Sequence, residues 1–257
     1  MLIQVTPVLI VLASIANATS TEQHTPVPFT HSSIIIDGKL NESIWQTSTR
    51  LAINHPIIGG EPQPNDFSGT YQLAWDAGYL YIAAQIRDDI LFDQHPDPLH
   101  YYWDDDCLEI FIDEDASGGD HQYNYNAFAY HVALDGNAVD IGESHANEPT
   151  NFVLLNNHIQ SQWTRNKHDP TLINWEVRVE IHNDQFSPNN PSEASLVTLT
   201  ENKTIGFMLA YCDNDGSEHR EQFIGSHYIA PVDGDQNLGY KTADVFGKIK
   251  LQTNSAN

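Results

Sequence analysis

Apolar residues along this chain recur with a spacing of two rather than 3.6. Residues 71–75 (YQLAW) lead into Asp76-Ala77-Gly78, a turn signal, and then into residues 79–86. In the second run Leu80, Ile82, Ala84 and Ile86 share one face, while Tyr81, Gln85 and Arg87 share the other. That pattern predicts a hairpin with an apolar inner face and a polar outer one. The alternation returns at residues 107–112, 127–134, 175–181, 206–211 and 246–251. Turn residues punctuate the intervals, as in Ser117-Gly118-Gly119, Asp135-Gly136-Asn137 and Asp213-Asn214-Asp215-Gly216. Many short strands with this punctuation predict an all-β, two-sheet antiparallel β-sandwich, jelly-roll-like, with few short helices. One such helix is expected at residues 41–45. No linker divides residues 33–254, which read as one domain.

Charge narrows the function classes. There are 35 Asp and Glu against 11 Lys and Arg, a formal net of −24. Nucleic acid and anionic membranes need clustered basic residues, so neither is an expected partner. Neutral ligands and divalent cations suit such a surface. The N-terminal residues 1–18 read as a signal peptide: the apolar run 8–15 is too short to span a bilayer, and Ala16-Asn17-Ala18 is an A-x-A cleavage pattern. Export to the periplasm or exterior follows, with residues 19–32 as a flexible leader and no membrane span. Cys107 and Cys212 both sit in strand-like runs, and an oxidising compartment permits a disulfide or two buried thiols. Neither lies in a C-x-x-C pair, so zinc or redox chemistry has little support from spacing. The 13 histidines fall at spacings that match no metal or catalytic motif, and His131 on its strand reads as structural.

Residues 103–113 (WDDDCLEIFID) concentrate the candidate chemistry. Leu108, Ile110 and Ile112 alternate inward, leaving Glu109 on the outer face with Trp103 at the strand's entrance. An aromatic face stacks on the C–H face of a pyranose, and a carboxylate accepts bonds from its hydroxyls. The same pattern also fits an outward Glu beside a rim Trp that caps the core. Acidic loops offer cation ligands: Asp113, Asp115 and Asp120 first, then Asp88-Asp89 and Asp213-Asn214-Asp215.

Five segments in order resemble carbohydrate-binding module family 9. They are Ile36-Asp-Gly-Lys-Leu-Asn-Glu-Ser-Ile-Trp45, the hairpin at residues 71–82, Asp105-Asp-Cys-Leu-Glu-Ile-Phe-Ile-Asp113, Tyr211-Cys-Asp-Asn-Asp215 and Phe246-Gly-Lys-Ile-Lys-Leu251. The resemblance implies a β-sandwich with structural calcium, a sugar clamped between two aromatic rings, and association with a separate glycoside hydrolase. It implies Trp103 as one ring and Glu109 as a sugar contact. The family's contact arginine is expected in the stretch 122–126 (QYNYN), where Asn124 stands in its place with Asn126 beside it. Asn lacks arginine's charge and fork geometry. Tyr240 is the expected second ring, with Tyr228 behind it. The resulting expectation is an exported, non-catalytic carbohydrate-binding protein. The alternatives are an interaction protein with a decayed sugar site, or a hydrolase pairing Glu109 with Glu176 or Glu180.

Overall fold

The computed structural model describes residues 24–144, 150–190 and 192–253. The expected signal peptide lies outside them. The described strands form two sheets. The larger runs β1 (Thr25–Pro28), β14 (Gly247–Gln252), β12 (Thr204–Asp213), β6 (Cys107–Asp113), β7 (Phe128–Ala133), β8 (Ala138–Gly142), β9 (Asn151–Leu154), with β13 (Gln222–Gly225) joining β12 to β3 (His55–Ile58). The smaller runs β10 (Ile159–Arg165), β11 (Leu172–Val179), β5 (Leu80–Asp88), β4 (Phe67–Trp75), β2 (Leu51–Ile53). All pairings are antiparallel except β1 with β14. The all-β sandwich expected from the alternation is the fold observed.

The main core lies between the sheets. Leu80, Ile82, Ala84 and Ile86 of β5 meet Leu108, Ile110 and Ile112 of β6, together with Trp175, Val177 and Val179 of β11. The outer faces depart from the simple pattern, because both are covered. Tyr81 and Ala83 of β5 pack under Ile34 and Trp45, so the hairpin's second face is not solvated. On the larger sheet Phe111, Met208 and Phe246 form a second apolar layer. The short helix expected at residues 41–45 is a single 3-10 turn at Ser43–Gln46.

Two local features explain sequence signals. The Ile36-Asp37-Gly38…Trp45 opening wraps around buried Glu176 of β11. Its carboxylate accepts from the Gly38 amide at 2.9 Å and the Trp45 indole at 3.2 Å. Gly38 has φ +73° and backs onto the Trp163 carbonyl carbon, which a Cβ would meet at 2.8 Å. The leader expected at residues 19–32 is shorter than it reads. Thr25–Pro28 is an edge strand, with Val27 buried and the Trp75 indole donating to its carbonyl at 3.1 Å. Pro26 and Pro28 are tolerated there because an edge strand leaves one side of its backbone unpaired.

Candidate functional site

The outer face of the larger sheet carries a cleft of about 360 Å³. Trp103, Phe152 and Tyr102 line one part, and Tyr123 and Tyr240 also face it. Trp103 comes from the loop entering β6. It is braced edge-on by Tyr102, centroids 5.0 Å apart, and by the tilted ring of Phe152 of β9 at 5.7 Å. Tyr240 comes from the loop before β14. The buried His121 ring hydrogen-bonds the Gly239 carbonyl at 2.8 Å and so anchors that loop. Gly239 packs against the sheet so closely that a Cβ would lie 2.9 Å from both Met208 and Phe111.

Polar groups converge at the floor. Register places Glu109 of β6 opposite His131 of β7, so their side chains share a face. His131 Nε2 lies 2.7 Å from Glu109 Oε1. Arg220, just ahead of β13, donates from Nη1 to the same oxygen at 2.9 Å, and the Cys212 thiol donates to it at 3.1 Å. Arg220 is held in turn: its amide donates to Asp104 at 3.1 Å, and its guanidinium sits 4.4 Å from the Phe223 ring centroid. Glu109 is 2 % exposed, so the outward carboxylate expected from alternation forms part of the cleft floor with little of its surface open to solvent. Burial alone would raise its pKa. His131 and Arg220 outweigh that and hold it below the usual carboxylate value. The group is therefore ionised, with its charge matched in place.

Trp103, Glu109 and Tyr240 are thus brought to one cleft. Asn124 and Asn126 are not among its lining residues. Asn124 donates to the Asp120 carbonyl at 3.2 Å and accepts from the Asn126 amide at 2.9 Å. Asn126 donates to the Gly118 carbonyl at 2.7 Å. Both stabilise the turn between β6 and β7. Tyr228 is 66 % exposed and packs edge-on to His55, away from the cleft. Arg220, His131 and Phe152 were missed in the sequence. The register of β6 with β7 was the one signal that could have found His131. Arg220 lies in a loop, where no periodicity operates.

The acidic residues sort differently from their order in sequence. Asp113 accepts from the Gly118 amide at 2.7 Å, Asp115 accepts from the Ser117 amide at 3.0 Å, and Asp120 bridges through its backbone to Thr242. These three do not form one close ligand group. Asp88, Asp106 and Asp213 do, with carboxylate oxygens within 4.8 Å of one another, and Asp66, Asp89 and Asp215 make a second set. The first set is fully buried. Asp88 accepts from the Tyr211 hydroxyl at 2.6 Å, while its other oxygen has no partner. Burial raises all three pKa values, and the Asp88 charge adds to the rise at Asp106 and at Asp213, which is pushed up to about 8. An all-oxygen donor set with an orphaned buried oxygen fits a hard cation such as calcium.

A two-sheet sandwich with an aromatic-walled, charge-matched cleft on its outer face has the build of a binding module. The chain belongs to the carbohydrate family 9 binding domain-like family, whose model matches residues 36–254. It is similar to endo-1,4-beta-xylanase A of Thermotoga maritima, with 31% identity over 80 residues. That stretch is 31% of this chain and 7% of the xylanase, so the chain spans a small part of that relative's length. Two solved structures of a family 9 carbohydrate binding module from Caldicellulosiruptor kristjanssonii share the fold. The cellotriose complex matches with TM-score 0.63 and 18% identity, covering 91% of this chain and 96% of that one. The glucose complex matches with TM-score 0.62 and 18% identity, covering 91% and 98%. At that identity the likeness establishes the fold. No helix among the described residues is long and apolar enough to cross a membrane.

Proposed function

We propose that this chain is an exported, non-catalytic carbohydrate-binding protein that captures sugar chains for a separate glycoside hydrolase. The observation that carries the reading is Glu109, ionised on the floor of an aromatic cleft between His131 and Arg220. Sugar hydroxyls need acceptors and donors side by side, and this trio offers both. Trp103 and Tyr240 supply ring faces for the pyranose C–H surfaces. The solved relatives' complexes with cellotriose and glucose support a β-glucan or its free end as ligand.

Two features argue for binding without cleavage. Glycoside hydrolysis uses two carboxyl groups about 5–9.5 Å apart, one of them a proton donor. Among the described residues lining the cleft, Glu109 is the one carboxylate, and its lowered pKa suits an acceptor and not an acid. Glu176 is on the smaller sheet, committed to the backbone of residues 37–39.

Calcium would act structurally, with Asp88, Asp106 and Asp213 as its main buried ligands. It would neutralise the like charges and fix the start of β6 next to Trp103. The acidic loop at Asp113 and Asp115 remains a second candidate, since Asp113 keeps one buried oxygen without a partner.

Calorimetric titration with cello- and xylo-oligosaccharides and glucose tests the cleft. Trp103→Ala should lower affinity at least ~10-fold, a loss of about 1.4 kcal/mol. Equal binding of every glycan by the variant and the wild type would remove the cleft from consideration. N-terminal sequencing of protein recovered outside the cytoplasm should begin at Thr19.

A further inference from the structure

The register that sets Glu109 opposite His131 also sets Cys107 opposite Cys212. Cys107 and Glu109 are two residues apart on β6 and share a face, and their cross-strand neighbours project to the same side. Three strands therefore deliver two thiols, an imidazole and a carboxylate to one spot. One donor atom from each lies within 4.8 Å of the others, and all four residues are buried.

We propose that Cys107, Cys212, His131 and Glu109 form a binding site for a thiophilic divalent cation of the zinc type beneath the cleft floor. The donor set is that of a closed tetrahedral site, in which ligand atoms about 2.0–2.3 Å from the ion stand roughly 3.3–3.8 Å apart. Two separations, His131 Nε2 to Glu109 Oε1 at 2.7 Å and Cys212 Sγ to Glu109 Oε1 at 3.1 Å, are shorter than that range, and no pair exceeds 4.8 Å, so small side-chain shifts would suffice. The Cys212 proton now points at Glu109, and the ion would take the place of such protons. Binding is a balanced exchange for a neutral His131: the divalent ion enters, two S–H bonds break, two metal–sulfur bonds form, the ring proton that faces Glu109 shifts from Nε2 to the unpartnered Nδ1, and two protons leave to solvent. The cluster's net charge is the same before and after, because two protons are traded for one dication. The new thiolate charges are offset by direct bonds to the ion, so no uncompensated charge is left buried.

Arg220 completes the arrangement. Its Nη1 donates to Cys212 Sγ and to Glu109 Oε1, both at 2.9 Å. Outer donors of this kind orient metal ligands and offset thiolate charge. With both thiolates, Glu109, Arg220 and the ion counted, the site is neutral. Glu109, His131 and Arg220 line the cleft, so the ion has an entry path. The carboxylate clusters offer oxygen alone and select harder ions, so the two kinds of site are separable by ligand chemistry.

The test is a cobalt(II) titration of the reduced full-length protein, with excess calcium present to occupy the carboxylate clusters. The expected result is one cobalt per chain, thiolate-to-cobalt charge-transfer absorption in the near ultraviolet, tetrahedral bands in the visible, and displacement of both by zinc. About two protons should be released per ion. The bands should vanish in Cys107→Ala and Cys212→Ala. If either variant does not fold, wild-type protein gives the second reading: at a denaturant concentration that transiently opens the fold, zinc should slow alkylation of both thiols relative to metal-free protein, and equal rates would count against the site. Absence of charge-transfer bands at saturating cobalt, in protein whose two thiols react freely after denaturation, overturns the site. So does a Cys107–Cys212 disulfide in protein isolated without reductant. The spectra are read without sugar, so they stand or fall separately from glycan binding.

Discussion

Two buried carboxylate centres lie within a few residues of each other at the start of β6, and they are built on opposite principles. Glu109 is enclosed by His131 and Arg220, so burial is offset and its pKa is depressed. Asp88, Asp106 and Asp213 face one another with no basic side chain among the principal causes of their shifts, and theirs are raised. The first centre is electrostatically complete before any ligand arrives. The second is complete only when a cation supplies the missing charge. Preorganised donors and acceptors suit a neutral ligand, and a thiophilic dication enters there only by displacing the thiol protons, whereas like charges held together by the fold store an affinity for a hard cation.

The largest effect should come from breaking the matched centre. Arg220→Met leaves Glu109 buried with His131 alone, which should cost about 3–5 kcal/mol of stability. Chemical denaturation measures it. Removing a charge from the other centre should act in the opposite direction. In metal-free protein near pH 8, Asp213→Asn should be neutral or stabilise by on the order of 1 kcal/mol, because it relieves repulsion. If both substitutions destabilise by similar amounts, the contrast between the centres is false.

Next in size is the response to calcium and pH. A carboxyl whose folded pKa exceeds its unfolded one binds more protons when folded. Asp213, raised to about 8 by burial and then by Asp88, therefore contributes stability that is full below its ordinary value of 3.8 and lost as pH rises through about 8. Glu109 has the reverse slope. Its contribution is present above its ordinary value of 4.5 and is lost as pH falls through its lowered folded value. Calcium must displace protons from the Asp cluster, so it should bind more tightly as pH rises. At 100 times its dissociation constant it should add about 2.7 kcal/mol, or roughly 5–10 °C in Tm. Calorimetry with calcium against chelator should show a larger gap at pH 8.5 than at pH 5.5. A gap that shrinks with rising pH would place the ion elsewhere.

The two centres were unequally legible in the sequence. Alternation revealed the core face of β6, and with it Glu109 as the odd polar position. The family resemblance singled out Trp103, and Tyr240 was readable as a late aromatic. The acidic cluster was visible only as separate pairs at Asp88-Asp89 and Asp213–Asp215, because its third member arrives across the sheet from Asp106. His131 and the cysteine pair depend on strand register, which period two does not specify without knowing which strands are neighbours. Arg220 depends on a loop held by Asp104 and Asn214, through contacts that leave no periodic trace. Thr25–Pro28 read as leader because proline is scarce in strands, and a parallel edge position is where that rule relaxes.

The smallest expected effect concerns the residue on which sequence and structure differ most. Asn124 stands where the family resemblance places an arginine, which suggested a weakened cleft. Its side chain is instead spent on Asp120 and Asn126 within a turn, and the cleft's guanidinium comes from Arg220 on the far side of Glu109. Asn124→Ala should therefore change glycan affinity by less than about twofold, roughly 0.4 kcal/mol, at a stability cost of about 1 kcal/mol. Arg220→Lys keeps the charge but cannot span Glu109 and Cys212 with one planar group, so it should weaken binding by more than that. Titration of both variants with the same cello-oligosaccharide ranks them directly. If Asn124→Ala proves the more damaging, the sugar contacts lie on the turn between β6 and β7, and the matched centre at Glu109 serves stability alone.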